Sequence, residues 1–230
     1  MIISVINIKG GTGKTTTAIA LASAASADGR QAVVYDADPQ SSASLWAMTA
    51  EEIGDPMPFA VESANIATVR KMGGFKGDPD RWAFVDCPPS GHVMDEAMRA
   101  ADLVVVPTTP SPADMVKSYE TVAVLDKADV PYAVLLTRVI PRTLTYRQSM
   151  VEIEDRGVNY FETAIPSREA LKAFFGNAFG RDLYGYGDAF AEVLDCFGIE
   201  REPAPADDDE DAPDAPDGDE QQADENENQN

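Results

Sequence analysis

A glycine-rich octet, Lys9-Gly10-Gly11-Thr12-Gly13-Lys14-Thr15-Thr16, follows an apolar opening segment and leads straight into a helix-forming run. Few folds accept that order. Glycines let the backbone turn tightly and aim its N–H groups at phosphate oxygens. The helix N-terminus behind them adds its positive end. In this pattern Lys14 reaches the β- and γ-phosphates of a nucleotide, and the Thr15 hydroxyl ligates Mg²⁺. The common phosphate-loop pattern has a further glycine at position 8, where this chain carries Ile8. The plain alternative is a turn bearing two solvent lysines; the carboxylate segments downstream weigh against it.

The rest of the chain repeats the strand–helix order. Candidate strands are 2–8, 32–36, 82–86, 103–107, 133–139 and 160–165. Rows such as Leu103-Val104-Val105-Val106 are continuously apolar rather than alternating, as expected for parallel strands covered on both faces. Helix-like runs lie between them at 15–28 (closed by Gly29), 111–128, 144–156 (closed by Gly157) and 186–197. The expectation is an α/β fold: a doubly wound, mostly parallel sheet flanked by helices, in one domain. Ligands of such sheets bind at the carboxyl ends of the strands.

Of the net charge of −22, residues 201–230 carry −12, with 13 acidic residues against Arg201 alone, leaving −10 for the body. That terminal segment has too little apolar surface to offset its ordering entropy, so it is expected to be a disordered acidic tail behind a domain spanning 1–200. Between Arg138 and Arg181 the balance reverses locally, with seven Lys/Arg against five Asp/Glu. No apolar run is long enough to span a bilayer, and the first residues lack the basic stretch of a signal peptide. A cytoplasmic location is expected. Cys87 and Cys196 have neither disulfide-framework nor metal-ligand spacing and read as reduced, mostly buried thiols; His92 reads as a loop residue.

Three further segments fall just after strands. In Asp36-Ala37-Asp38-Pro39-Gln40 the two carboxylates lie two residues apart, so in extended chain they point the same way. They repel unless a cation or ordered water lies between them, which a Mg-nucleotide site provides. A turn capped by Asp38 is the plainer reading. Phe84-Val85-Asp86 delivers a single carboxylate from an apolar strand, the arrangement that holds Mg²⁺ through water. Val106-Pro107-Thr108-Thr109-Pro110 ends another strand, since prolines deny ladder donors.

The octet, with its extra lysine at position 9, resembles the deviant Walker A box of the ParA/MinD superfamily, and 36–40 resembles that family's D-x-D-P-Q box. The likeness spans about residues 1–197 and is closest to the small plasmid-partition ParA (ParF-like) proteins. It implies an ATPase of slow basal turnover that binds ATP/ADP and Mg²⁺. Gly10, Gly11, Thr12, Gly13, Lys14, Thr15 and Thr16 would hold the phosphates. Lys9 would cross a dimer interface to the partner's ATP, Asp38 would position the attacking water, and Thr15, Asp36 and Asp86 would serve the metal. Pro107 would lie by the adenosine and Arg138 by the base, against the plainer readings of a rigid connector and a surface arginine.

The resemblance further implies an ATP-dependent homodimer that binds non-specific DNA on the nucleoid. It would be released when a ParB-like or ribbon-helix-helix adaptor stimulates hydrolysis, so driving plasmid or chromosome segregation. Arg142, Arg147, Arg168 and Lys172 are the candidate DNA phosphate contacts, though ordinary surface density explains them as well. Relatives that position protein cargo such as carboxysomes use nearly the same chemistry. A membrane-cycling switch needs a basic amphipathic C-terminus, which this acidic one opposes, so no membrane partner is expected. A small-molecule ligase of the same fold has no need for Lys9.

Overall fold

A computed structural model of the chain describes residues 1–201, apart from the side chain of Lys172. The expected acidic tail and the Lys172 contact therefore lie outside the described residues. Six strands form one parallel sheet in the order β3-β2-β4-β1-β5-β6. They are β1 (Ile2–Val5), β2 (Gln31–Asp36), β3 (Ala60–Ser63), β4 (Arg81–Asp86), β5 (Leu103–Thr108) and β6 (Tyr132–Leu136). Central strands are apolar on both faces because helices cover both. Helices α1 (Lys14–Ala27), α2 (Ser42–Glu52) and α8 (Tyr186–Cys196) bury Ile19, Leu21, Trp46, Phe190 and Leu194 with Ile3, Val5 and Phe84. On the other side α4 (His92–Ala100), α5 (Pro112–Ala128) and α6 (Leu144–Asp155) bury Met98, Met115, Leu125 and Ile153 with Ile2, Val85 and Val104. Two shorter helices, α3 (Ile66–Arg70) and α7 (Glu169–Lys172), complete the set.

Several boundaries differ from the expectation. The opening strand ends at Val5, because Asn7 leaves the ladder: its Nδ2 donates to the Pro107 carbonyl and the Ser118 hydroxyl, both at 3.0 Å. Its Oδ1 accepts the Lys9 N–H at 2.9 Å and turns the chain into the loop. Strand β5 runs through Pro107, which pairs with Leu135, instead of stopping there. Pairing with β1 has ended by then, so the missing N–H costs the sheet no bond.

The strand expected at 160–165 is not one. Only isolated parallel bridges form, Val134 with Tyr160 and Val139 with Pro166. Phe161 and Ile165 still donate to the Val134 and Leu136 carbonyls, but between them the N–H groups of Glu162 and Thr163 turn to the Glu192 carboxylate at 2.8 and 2.7 Å, which interrupts the ladder. His92 opens α4 rather than lying in a loop, and Cys196 is exposed while Cys87 is buried. Among the described residues no helix is long and apolar enough to cross a membrane.

Candidate functional site

The carboxyl ends of β1, β2 and β4 converge. Register pairs Val5 with Asp86 and Asp36 with Asp86, so all three carboxyl-end segments meet at one point of the sheet. The loop leaving β1 adopts left-handed backbone at Gly11 and at Gly13, where φ is 79° and 95°. Gly13 caps α1, and Thr17 is the first residue to bond back to it, donating to its carbonyl at 2.8 Å. The N–H groups of the first turn thus have no intrahelical acceptor. Thr137, at the end of β6, pins the loop from behind: its hydroxyl lies 3.2 Å from the carbonyls of both Thr12 and Thr108.

The two loop lysines take different positions. Lys14 is buried, and its Nζ donates to the Lys9 carbonyl at 3.1 Å. Burial holds its pKa below the ordinary value, with the charges of Asp86 and Asp38 working the other way. Lys9 is half-exposed at the rim and is tied to the Asp114 carboxylate on α5, which also accepts the Thr109 hydroxyl at 2.6 Å. Burial pushes the Asp114 carboxyl up, but the Lys9 and Thr109 bonds outweigh it and hold it below the usual range.

Asp86 is 1% exposed, and neither of its oxygens has a hydrogen-bond partner of good geometry. Burial raises its pKa to about 7; the neighbouring Thr15 hydroxyl lowers it only in part, and the Asp36 charge adds to the rise. A buried, unpartnered carboxylate beside a threonine hydroxyl fits a hydrated Mg²⁺ carried in with phosphates. Asp36 is committed differently. Its Oδ2 accepts the Ser44 N–H at 2.8 Å and the Ser44 hydroxyl at 2.7 Å, and its Oδ1 accepts the Asp38 N–H at 3.3 Å. Asp38 is half-buried and faces the open side, its Oδ1 accepting the Gln40 N–H at 2.9 Å.

A cleft of about 660 Å³ runs over this ground, between the 10–16 loop, Asp38 with Gln40, and Pro88–Ser90. It continues into a smaller hollow of about 180 Å³ between Thr137–Arg138, the 165–168 segment, Leu171 and Tyr186. Gly13, Thr16, Trp46, Arg138 and Phe175 border both. Arg138 holds left-handed backbone, φ 53°, at that junction.

The structure brings Gly10, Gly11, Gly13, Lys14, Thr15, Thr16, Asp38 and Arg138 to the cleft. Thr12 is buried beneath the loop. Pro107 is not brought there: it is buried inside β5, its carbonyl engaged by Asn7. Of the arginines expected on DNA, Arg142 and Arg147 are exposed around the start of α6, whereas Arg168 borders the smaller hollow. Asn7, Ser44, Trp46, Asp114 and Phe175 escaped the sequence reading. Only the short spacing of Ser44 from Asp36 offered a local signal; the others arrive by tertiary packing.

The family described as the CobQ/CobB/MinD/ParA nucleotide binding domain matches residues 3–177. "Maintenance of carboxysome distribution protein A" of Gloeobacter kilaueensis is 37% identical over 175 residues, covering 74% of this chain and 78% of that protein. "Protein ParA" of Rhizobium radiobacter is 28% identical over 195 residues, 80% of this chain and 85% of that one. Among solved structures, a putative plasmid partition protein from Borrelia burgdorferi bound to AMPPNP shares the fold. Its TM-score is 0.64 at 20% identity, with 85% of this chain and 97% of that one covered.

Proposed function

The chain belongs to the CobQ/CobB/MinD/ParA nucleotide-binding family, and on that premise we propose that it is a slow ATPase that pairs on ATP and positions a large cargo over DNA. One observation carries the switch. Of the two loop lysines, Lys14 is buried within its own loop, while Lys9 stands at the rim, held there by Asp114. A rim cation on a short tether is suited to a second copy's phosphates, in the manner of an arginine finger.

In this reading residues 1–200 are the ATPase unit and 201–230 an appended acidic segment. The loop N–H groups and Lys14 bind the phosphates, and the hollow beside Arg138 takes the nucleoside. Thr15 and Asp86 would hold hydrated Mg²⁺, and the Asp36 carboxylate braces the Asp38 segment by accepting the Asp38 N–H. When bound, the cation supplies charge neutralisation at the phosphate oxygens. Asp38 orients water, so turnover rests on positioning and is slow.

For the cargo, the two likenesses by name diverge. The carboxysome-distribution relative, at 37% identity over most of both chains, supports a protein cargo, the reading the sequence placed second. The ParA relative, at 28%, supports plasmid or chromosome partition through a ParB-like or ribbon-helix-helix adaptor. Both readings share the ATP-dependent homodimer and a non-specific DNA track on the nucleoid.

The test is binding to long non-specific duplex DNA at low salt with Mg-ATP or Mg-ADP. Retention with ATP alone is expected; equal binding in both states, or none, sinks the switch. Two substitutions probe its parts. Lys14→Ala is expected to abolish nucleotide binding by calorimetry. Asp38→Ala is expected to dimerise with ATP, by light scattering, while releasing no phosphate. A monomeric Asp38→Ala protein at saturating ATP contradicts the mechanism.

A further inference from the structure

Phe175 stands apart from the aromatic residues around it. Phe174, Phe179 and Trp46 pack together, with the Phe174 and Phe179 ring centroids 4.5 Å apart. Phe175 touches this cluster through Trp46, centroid to centroid 5.4 Å at 45°, yet remains 51% exposed. Its free face turns to the passage where the phosphate cleft and the smaller hollow meet, bordering both. A large apolar ring left in water at a cleft mouth is the informative departure from normal burial.

The backbone gives the ring little freedom to move elsewhere. Gly176 follows it with φ at 83°, and a Cβ there would lie 2.5 Å from Thr49 Cγ2 on α2. The chain is thus pressed against α2 at the next residue. Asn177 fastens it again, its carbonyl accepting the Trp46 indole N–H at 2.9 Å. The backbone that carries the ring is thus held by α2, the helix that follows Asp38-Pro39-Gln40.

We infer that Phe175 is a nucleoside-positioning residue: its exposed face stacks on the base of the bound nucleotide, with Trp46 holding it from behind. The inference rests on the ATP reading above and adds the group that recognises the base half. The continuity of the hollow with the phosphate loop through Gly13 and Thr16 identifies the occupant, since a triphosphate on the loop places its nucleoside within reach of the hollow. Stacking on an aromatic face tolerates any base, so Phe175 sets affinity, and polar neighbours such as Ser167 and Arg168 are left to choose among bases.

The experiment is calorimetric titration of the full chain with Mg-ATP and, separately, with Mg-tripolyphosphate, which has no nucleoside. Phe175→Ala is expected to weaken ATP binding about tenfold and leave tripolyphosphate affinity within twofold of the parent. Phe175→Tyr keeps the ring and is expected to bind ATP as the parent does. Phe175→Leu keeps apolar bulk without a stacking face and is expected to behave like the alanine variant; it also stands in should the alanine variant fail to fold. Parent-like ATP binding by Phe175→Ala, or by Phe175→Leu, overturns the inference, as does an equal loss for both ligands. A parent protein that binds tripolyphosphate and ATP alike contradicts base recognition while leaving the phosphate loop intact. A parent that binds neither contradicts the ATP reading itself.

Discussion

Asp86 shows at the level of one residue what a deeply buried carboxyl costs a fold. Its carboxyl lies at the buried end of β4 with no hydrogen-bond partner of good geometry, and its pKa is raised to about 7, chiefly by burial. An ionised carboxylate so placed destabilises the fold by roughly 4 kcal/mol relative to one titrating near its model value. The sign follows from proton binding. Between pH 4 and 7 the folded state holds a proton that the unfolded state has lost, so stability falls as pH rises and the full penalty is present above 7. Asp86→Asn removes the charge but leaves an amide with few partners, so a net gain of about 1–2 kcal/mol is expected at pH 8. That corresponds to about 3–6 °C in Tm without nucleotide and in chelator. The gain shrinks as pH is lowered toward 5; an equal difference at both pH values would show that ionisation is not its source. Nucleotide-dependent stabilisation should be lost in the same variant, the usual exchange of function for stability. The place of Asp86 was legible in the sequence, because Phe84-Val85-Asp86 closes a continuous apolar row and the strand does end there. Asp114, which holds Lys9, was not: it lies 105 residues away, and only the sheet brings α5 to the loop.

At the level of elements, continuous apolar rows identified five of the six strands, and glycines marked the ends of α1 and α6. Two of the elements missed, β3 and α2, share a cause. Edge strand β3, Ala60–Ser63, is mostly exposed and carries too little apolar pattern to stand out. Helix α2 exposes Leu45 and Met48, with Ile53 exposed just past its end, and buries only Ala43, Trp46 and Ala50, so its apolar residues do not form one clean stripe. The segment 160–165 misled in the other direction, apolar enough for a strand yet diverted by Glu192. That carboxylate on α8 accepts two backbone N–H groups that would otherwise be unpaired. Charge-assisted bonds of this kind contribute more than neutral ones, less where partly exposed. Glu192→Ala is expected to lower stability by about 1–2 kcal/mol, read as a shift of the urea midpoint at unchanged m. A shift in m instead would mean that α8 and the 160–165 segment come apart as a unit. A midpoint equal to the parent's would show that solvent replaces the carboxylate without cost.

For the whole molecule, the proposed DNA track has to be reconciled with a net charge of −22. Charge placement supplies the answer to be tested. More than half the excess lies in 201–230, while Arg142 and Arg147 project near α6 and Arg168 at the nucleoside side. If each of two paired chains offers Arg142, Arg147, Arg168 and Lys172 to phosphates, about eight counterions are released per dimer. The logarithm of affinity then falls with the logarithm of salt at a slope near −7. Arg147→Ala removes one contact per chain and should flatten that slope by about 2. Because Arg168 borders the nucleotide hollow, Arg168→Ala is a poor probe of DNA alone and is better read beside an ATP titration. Removing residues 202–230 takes away 13 acidic residues and no basic one. If that charge repels the track or occupies the basic surface, the truncated chain binds DNA several-fold more tightly at low salt, and the advantage disappears by about 0.5 M as screening shortens to a few ångströms. A slope near zero in the ATP state would remove the phosphate track from the proposal. An unchanged affinity on truncation would leave the acidic segment with no part in DNA binding, and its role would then be sought in solubility or in the adaptor.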